Sequence, residues 1–108
     1  MAHDPELVLR LMELLADEPD VTEKRMFGGH AFLVGGALAI AASRSGGLLV
    51  RVAADDADRL VERDGIERMV MRGREMRNWL LVAPEAIATT TQLRPWVRRG
   101  VAFARSVS

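Results

Sequence analysis

Leu7, Val8, Leu11, Met12, Leu14 and Leu15 recur at three- and four-residue intervals, while Arg10, Glu13 and Asp17 fall on the opposite side. That spacing predicts an amphipathic helix running to about Asp17. Its start is marked by Asp4-Pro5-Glu6: the carboxylate caps free amides, proline suits the first turn, and the acids complement the helix dipole. Pro19-Asp20 ends it. The pattern then changes period. Val21 to Phe27 alternates crudely and runs into Gly28-Gly29, and His30 to Val34 and Ala37 to Ala42 flank Gly35-Gly36. Glycine supplies the positive φ that two-residue hairpin turns need, so these residues predict three antiparallel strands, with Met26 and Phe27 contributing to strand packing.

A loop by composition, residues 43–47, leads to Leu48-Leu49-Val50-Arg51-Val52, a fourth strand rich in β-formers. Asp55 and Asp56 open a short helix with Ala57, Leu60 and Val61 on one face, closed by Asp64-Gly65. Ile66 to Met71 is ambiguous between loop and extended chain. Trp79-Leu80-Leu81-Val82 is apolar throughout and predicts a fifth, central strand ended by Pro84. Leu93, Trp96, Val97, Val101 and Ala104 then follow helical spacing after Thr89-Thr90-Thr91. With Thr91 as the cap, Pro95 falls near the tolerant first turn. Gly100 in mid-helix costs about 1 kcal/mol relative to alanine, which close packing on the sheet would explain. The order is α-β-β-β-β-α-β-α, an α+β class with an antiparallel sheet of about five strands and packed helices.

Length sets the scale of this picture. One domain over residues 1–108 fits, and 49% hydrophobic content can fill its core. The absence of cysteine excludes disulfides, thiolate metal sites and a cysteine nucleophile. Two histidines, His3 and His30, are too few for a metal cluster, so no metal and no cofactor are expected. No apolar run approaches the roughly 18 residues of a membrane span, and a soluble cytoplasmic protein is expected. Net charge is zero, but unevenly spread. Residues 1–23 hold seven acids against Arg10, a net of −6, whereas residues 66–108 hold eight arginines against three glutamates, a net of +5. The gradient fits either a basic face for nucleic acid or acidic and basic elements that neighbour each other in the fold. Fourteen of the fifteen basic residues are arginine, so arginine content alone distinguishes little.

Five blocks in one order carry a resemblance. Arg25-Met26-Phe27-Gly28-Gly29, Ala31-Phe32-Leu33-Val34, Leu48-Leu49-Val50-Arg51-Val52, Met71-Arg72-Gly73-Arg74-Glu75-Met76 and Trp79-Leu80 with Val82 resemble the TfoX/Sxy N-terminal-domain family, bacterial proteins related to a regulator of natural competence. Leu93, Trp96-Val97 and residues 100–104 are similar to its terminal helix. The resemblance implies a two-layer, secretion-chaperone-like α+β domain with a tendency to dimerise, and it implies no established catalytic activity. Longer regulators of the group carry a second, C-terminal helical domain, so a stand-alone N-terminal module is expected here. Gly35-Gly36 stands where the family often has Asn-Gly, Glu75 where it often has proline, and Asn78 where a small residue is usual.

Candidate chemistry is sparse. His30 has no serine, cysteine or second histidine beside it, and no catalytic residues are assigned. Asp55, Asp56, Asp58, Glu62 and Asp64 lack the spacing of a calcium loop, and an acidic first turn accounts for the first two. The glycine pairs match neither a P-loop nor a dinucleotide fingerprint. Met69, Met71 and Met76 suit either core filling or a partner groove. Arg72, Arg74 and Arg77 cluster around Gly73 near Trp79, a combination that can engage phosphate and base, with Arg98 and Arg99 as further contacts. Three readings follow. The first is a non-enzymatic interaction module that forms a homodimer and acts through a protein partner. The second is nucleic-acid binding through the arginines, and the third is a small anionic-ligand-binding protein or enzyme built around Arg25, His30 and Arg74.

Overall fold

A computed structural model describes residues 4–26 and 28–107, which leaves the expectations placed on His3 and Phe27 outside the described residues. The chain forms two layers. In order these are α1 (Pro5–Leu14), β1 (Val21–Met26), β2 (Gly29–Val34), β3 (Ala37–Ala42), β4 (Leu48–Arg51), α2 (Ala54–Leu60), β5 (Ile66–Met71), β6 (Arg74–Val82), a 3-10 turn (Pro84–Ile87) and α3 (Thr90–Val107). The six strands build one antiparallel sheet in the order β1-β2-β3-β4-β6-β5. The α+β class and the element order agree with the sequence, but the sheet has six strands where about five were expected.

The extra strand comes from the ambiguous segment. Met71 pairs with Arg74, so Arg72-Gly73 is a two-residue hairpin turn with φ of +53° and +78°, both in the left-handed region such turns require. This turn makes Ile66–Met71 a strand and extends the next one back from Trp79 to Arg74. β6 lies between β4 and β5, so it is second from the edge. At the first glycine pair, Met26 faces Gly29 in register, so Gly29 is a strand residue and not part of the turn. A β-carbon there would run into the Ala42 carbonyl of β3. Gly35-Gly36 turns as expected, between Val34 and Ala37.

All three helices bury residues in one core on one face of the sheet. Leu7, Val8, Leu11 and Leu15, Ala57 and Leu60, and Leu93, Trp96, Val97 and Ala104 meet Phe32, Val34, Ile40, Leu48, Val50, Leu80 and Val82 there. Asp4 caps α1 through a 3.0 Å bond from the Glu6 amide. The helix stops at Leu14, short of Asp17, because the chain tightens into turns that carry Glu13 and Leu15 carbonyl bonds ahead of Pro19. Met12 falls outside the buried stripe at 43% exposure.

α3 begins two residues earlier than the Thr91 cap requires. Thr89 is the cap: its hydroxyl accepts from the Gln92 amide at 3.2 Å, and the Gln92 side-chain oxygen accepts from the Thr89 amide at 3.0 Å. This is a reciprocal capping box. Pro95 therefore lies in the second turn, where it leaves the Thr91 carbonyl without its helical donor. Gly100 is where α3 presses on the sheet. A β-carbon there would sit 2.6 Å from both the Ala39 carbonyl oxygen and the Ile40 Cγ2. Among the described residues, no helix is long and apolar enough to cross a membrane.

Candidate functional site

Arg25 and His30 face each other across β1 and β2, on the side of the sheet that carries Phe32. His30 Nε2 lies 2.6 Å from a Glu23 carboxylate oxygen, and its ring is tilted 5.2 Å from that of Phe32. Arg74 opens β6. Three strands lie between β1 and β6, a separation of about 19 Å, so the sheet does not bring Arg25 and His30 together with Arg74.

The arginines around Gly73 divide. Arg72 and Arg74 stand exposed at the tip of the β5–β6 hairpin. Arg77 instead turns to Asp58 of α2, 3.4 Å away, and Asp58 also holds Arg68 of β5. The arginine on the Trp79 ring is Arg51, opposite it in register on β4. Its guanidinium carbon is 5.3 Å from the Trp79 centroid and 4.8 Å from that of Phe103 on α3, so the side chain links the sheet to the helical layer. Burial lowers its pKa, and its Nε is buried with no hydrogen-bond partner among the described residues. Arg98 and Arg99 part company on α3. Arg98 borders a groove with Leu14, Leu15 and Glu18, and Arg99 borders another with Arg63 and Ile66. Among the described residues, no three acidic or histidine side chains converge on a point suited to a metal ion.

Sequence reasoning missed the helix-free face of the sheet. Ala31, Leu38, Ala41 and Leu49 form a second buried cluster there, with Met26, Leu33, Met69, Trp79 and Leu81 packed around it. Among the described residues, strands alone supply this cluster. The register defines one straight row across the whole face: Lys24, Ala31, Ala41, Leu49, Leu81, Glu67. The row is apolar within and ends on an exposed lysine at one edge and an exposed glutamate at the other. Strict alternation in Ala31, Leu33, Leu49 and Leu81 was the available signal, but it was hidden because the intervening positions are apolar too.

Fold and surfaces together define a small two-layer α+β domain with one sheet face under helices and the other free of them. The family model of the TfoX N-terminal domain matches residues 13–104, from within α1 to within α3, and the chain belongs to that family. Comparison with curated proteins returned no match, and neither did comparison with solved structures.

Proposed function

We propose that this domain is a non-enzymatic interaction module that pairs with a second copy of itself through the helix-free sheet face and acts through a protein partner. The apolar row closed by Lys24 and Glu67 carries the reading. When two such faces stack about a two-fold axis along the strands, the β1 edge of one copy lies over the β5 edge of the other. Lys24 then meets Glu67 at both rims, while the half-buried Leu81 and Trp79 fill the middle. Stacking about the perpendicular axis would set Lys24 against Lys24. Aligned sheet packing is the arrangement the charges favour.

Magnitudes set the expected strength. Five strand spacings span about 24 Å, and strands of this length run about 17 Å, so the face has an outline of roughly 400 Å², of which Ala31, Ala41 and Leu49 are already buried within each copy. That is below the standard interface and fits a micromolar, exchangeable dimer. Trp79, Arg51, Met26 and Met69 are the residue types enriched at such contacts. Sedimentation over micromolar concentrations is expected to show monomer–dimer exchange, weakened by at least tenfold in Leu81→Glu. Lys24→Glu or Glu67→Lys is expected to weaken pairing about two- to fivefold, and the double swap to restore it. A strict monomer throughout this range sinks the proposal, as does a double swap no better than its parents.

A second reading, nucleic-acid binding, is favoured by one observation: Arg72 and Arg74 are exposed at a hairpin tip with no ion pair among the described residues. It requires salt-sensitive affinity that Arg74→Glu reduces. No retention of DNA or RNA at low salt removes it.

A further inference from the structure

Arg99 on α3 carries one of the two buried, unsatisfied side-chain donors among the described residues. Its guanidinium carbon lies 4.7 Å from the Trp96 ring centroid, and its Nη1 is buried with no hydrogen-bond partner among the described residues. A guanidinium keeps its charge even when desolvated, so a buried unpaired N–H is a standing cost. The surroundings raise that cost. Burial lowers its pKa first, then the positive charges of Arg63 and Arg59, with Asp56 offsetting them only in part. Asp56 is itself bonded to Arg59 at 3.2 Å.

Arg99 and Arg63 border a groove of about 380 Å³ between the α2–β5 connection, the 3-10 turn and the first half of α3. Arg63 and Arg99 lie in its wall with Asp64, Trp96, Thr91 and Gln92. Residues 91, 92, 95 and 99 follow one face of α3, so the cationic end and the hydroxyl–amide end are two helical turns apart. The polar end is equipped on its own account. Gln92 uses its oxygen in the helix cap, which leaves its amide N–H groups, and Pro95 leaves the Thr91 carbonyl without a helical donor. A hydroxylated body would find both donors and acceptors there.

We propose that this groove binds a compact phosphate, with Arg99 and Arg63 as the oxyanion ligands, either as free phosphate or as the phosphoryl group of a small hydroxylated ester. Two arginines at one oxyanion give charge-assisted, bidentate bonds through the guanidinium N–H groups on the groove side. Asp64 in the wall opposes any anion, a cost that the two arginine contacts must exceed. The groove is on the helical side, away from the helix-free sheet face, and the inference does not depend on dimer formation.

The test is a titration of the full chain with inorganic phosphate and, separately, with glycerol 3-phosphate. It is read by thermal shift and by the NMR signals of the Arg99 Nε–H and Trp96 indole, at ionic strength matched with chloride. Saturable binding at millimolar or lower concentration is expected, with Arg63→Gln reducing affinity about tenfold and Arg99→Met abolishing it. The Arg63 side chain is exposed and has no hydrogen bond or ion pair among the described residues, so Arg63→Gln remains informative if Arg99→Met fails to fold. Tighter binding of the ester identifies an ester site, and equal binding identifies a free-phosphate site. No saturable response to either up to about 10 mM overturns the proposal, and so does a response that Arg63→Gln leaves unchanged.

Discussion

Gly100 sets two effects against each other at the scale of one residue. Alanine would gain about 1 kcal/mol of helix propensity, but its β-carbon would meet the Ala39 carbonyl and Ile40 at 2.6 Å. Backbone cannot yield as a flexible side chain can, and overpacking of this kind costs about 1–3 kcal/mol. Gly100→Ala is therefore expected to lower stability by about 1 kcal/mol in urea unfolding; a rise would mean that α3 can lift from β3. Arg72 presents the opposite case. It holds φ of +53°, which asparagine tolerates better, and Asn-Gly is a favoured pair in such turns. Arg72→Asn is expected to stabilise the fold by several tenths of a kcal/mol, and unchanged or lower stability would show that the arginine side chain secures the hairpin. Close packing at Gly100 was legible from the sequence because a glycine within an otherwise apolar helical stripe needs a reason. The role of Gly29 was not, since a turn glycine and a strand glycine admitting a neighbouring carbonyl look alike in a Gly-Gly pair.

Elements differed in legibility for reasons that trace to their ends. α1 and α3 were readable from their stripes, but their limits depended on which of several polar residues capped them. In α3 the choice among three threonines was decided by Gln92, whose side chain returns to the Thr89 amide. Thr89→Ala removes the hydroxyl half of that box and is expected to cost about 1 kcal/mol, or a fall of a few degrees in Tm. A Tm equal to the parent would shift the capping role onto Gln92. β5 was obscured by its turn. Arginine at the first turn position masked a two-residue hairpin, and register slips between Arg68 and Met69, which breaks the alternation a strand would otherwise show. β6 looked central because its run is unbroken, yet Trp79 and Leu81 are only half-buried and point away from the helices.

Across the whole molecule, the charge gradient resolves into few contacts. Of the seven N-terminal acids, Glu18 reaches the C-terminal arginines: it bonds to Arg105 Nε at 2.9 Å and to its Nη2, and Arg105 also donates to the Pro19 carbonyl at 2.9 Å. The pair fastens the end of α3 near the turn after α1. Both side chains are about a third exposed, so Glu18→Gln is expected to cost no more than about 1 kcal/mol, less at high salt. The candidate surfaces were only partly written in the sequence. The arginines near Gly73 could be seen as a cluster, but only the fold diverts Arg77 to Asp58, and only the strand order assembles the row from Lys24 to Glu67. α3 touches β2, β3, β4, the 3-10 turn and α1, and it comes after every strand in the chain. During synthesis the part of the core face that α3 covers, over β2, β3 and β4, thus stays open until that helix has left the ribosome, so this domain completes its folding only after all of its strands have been exposed.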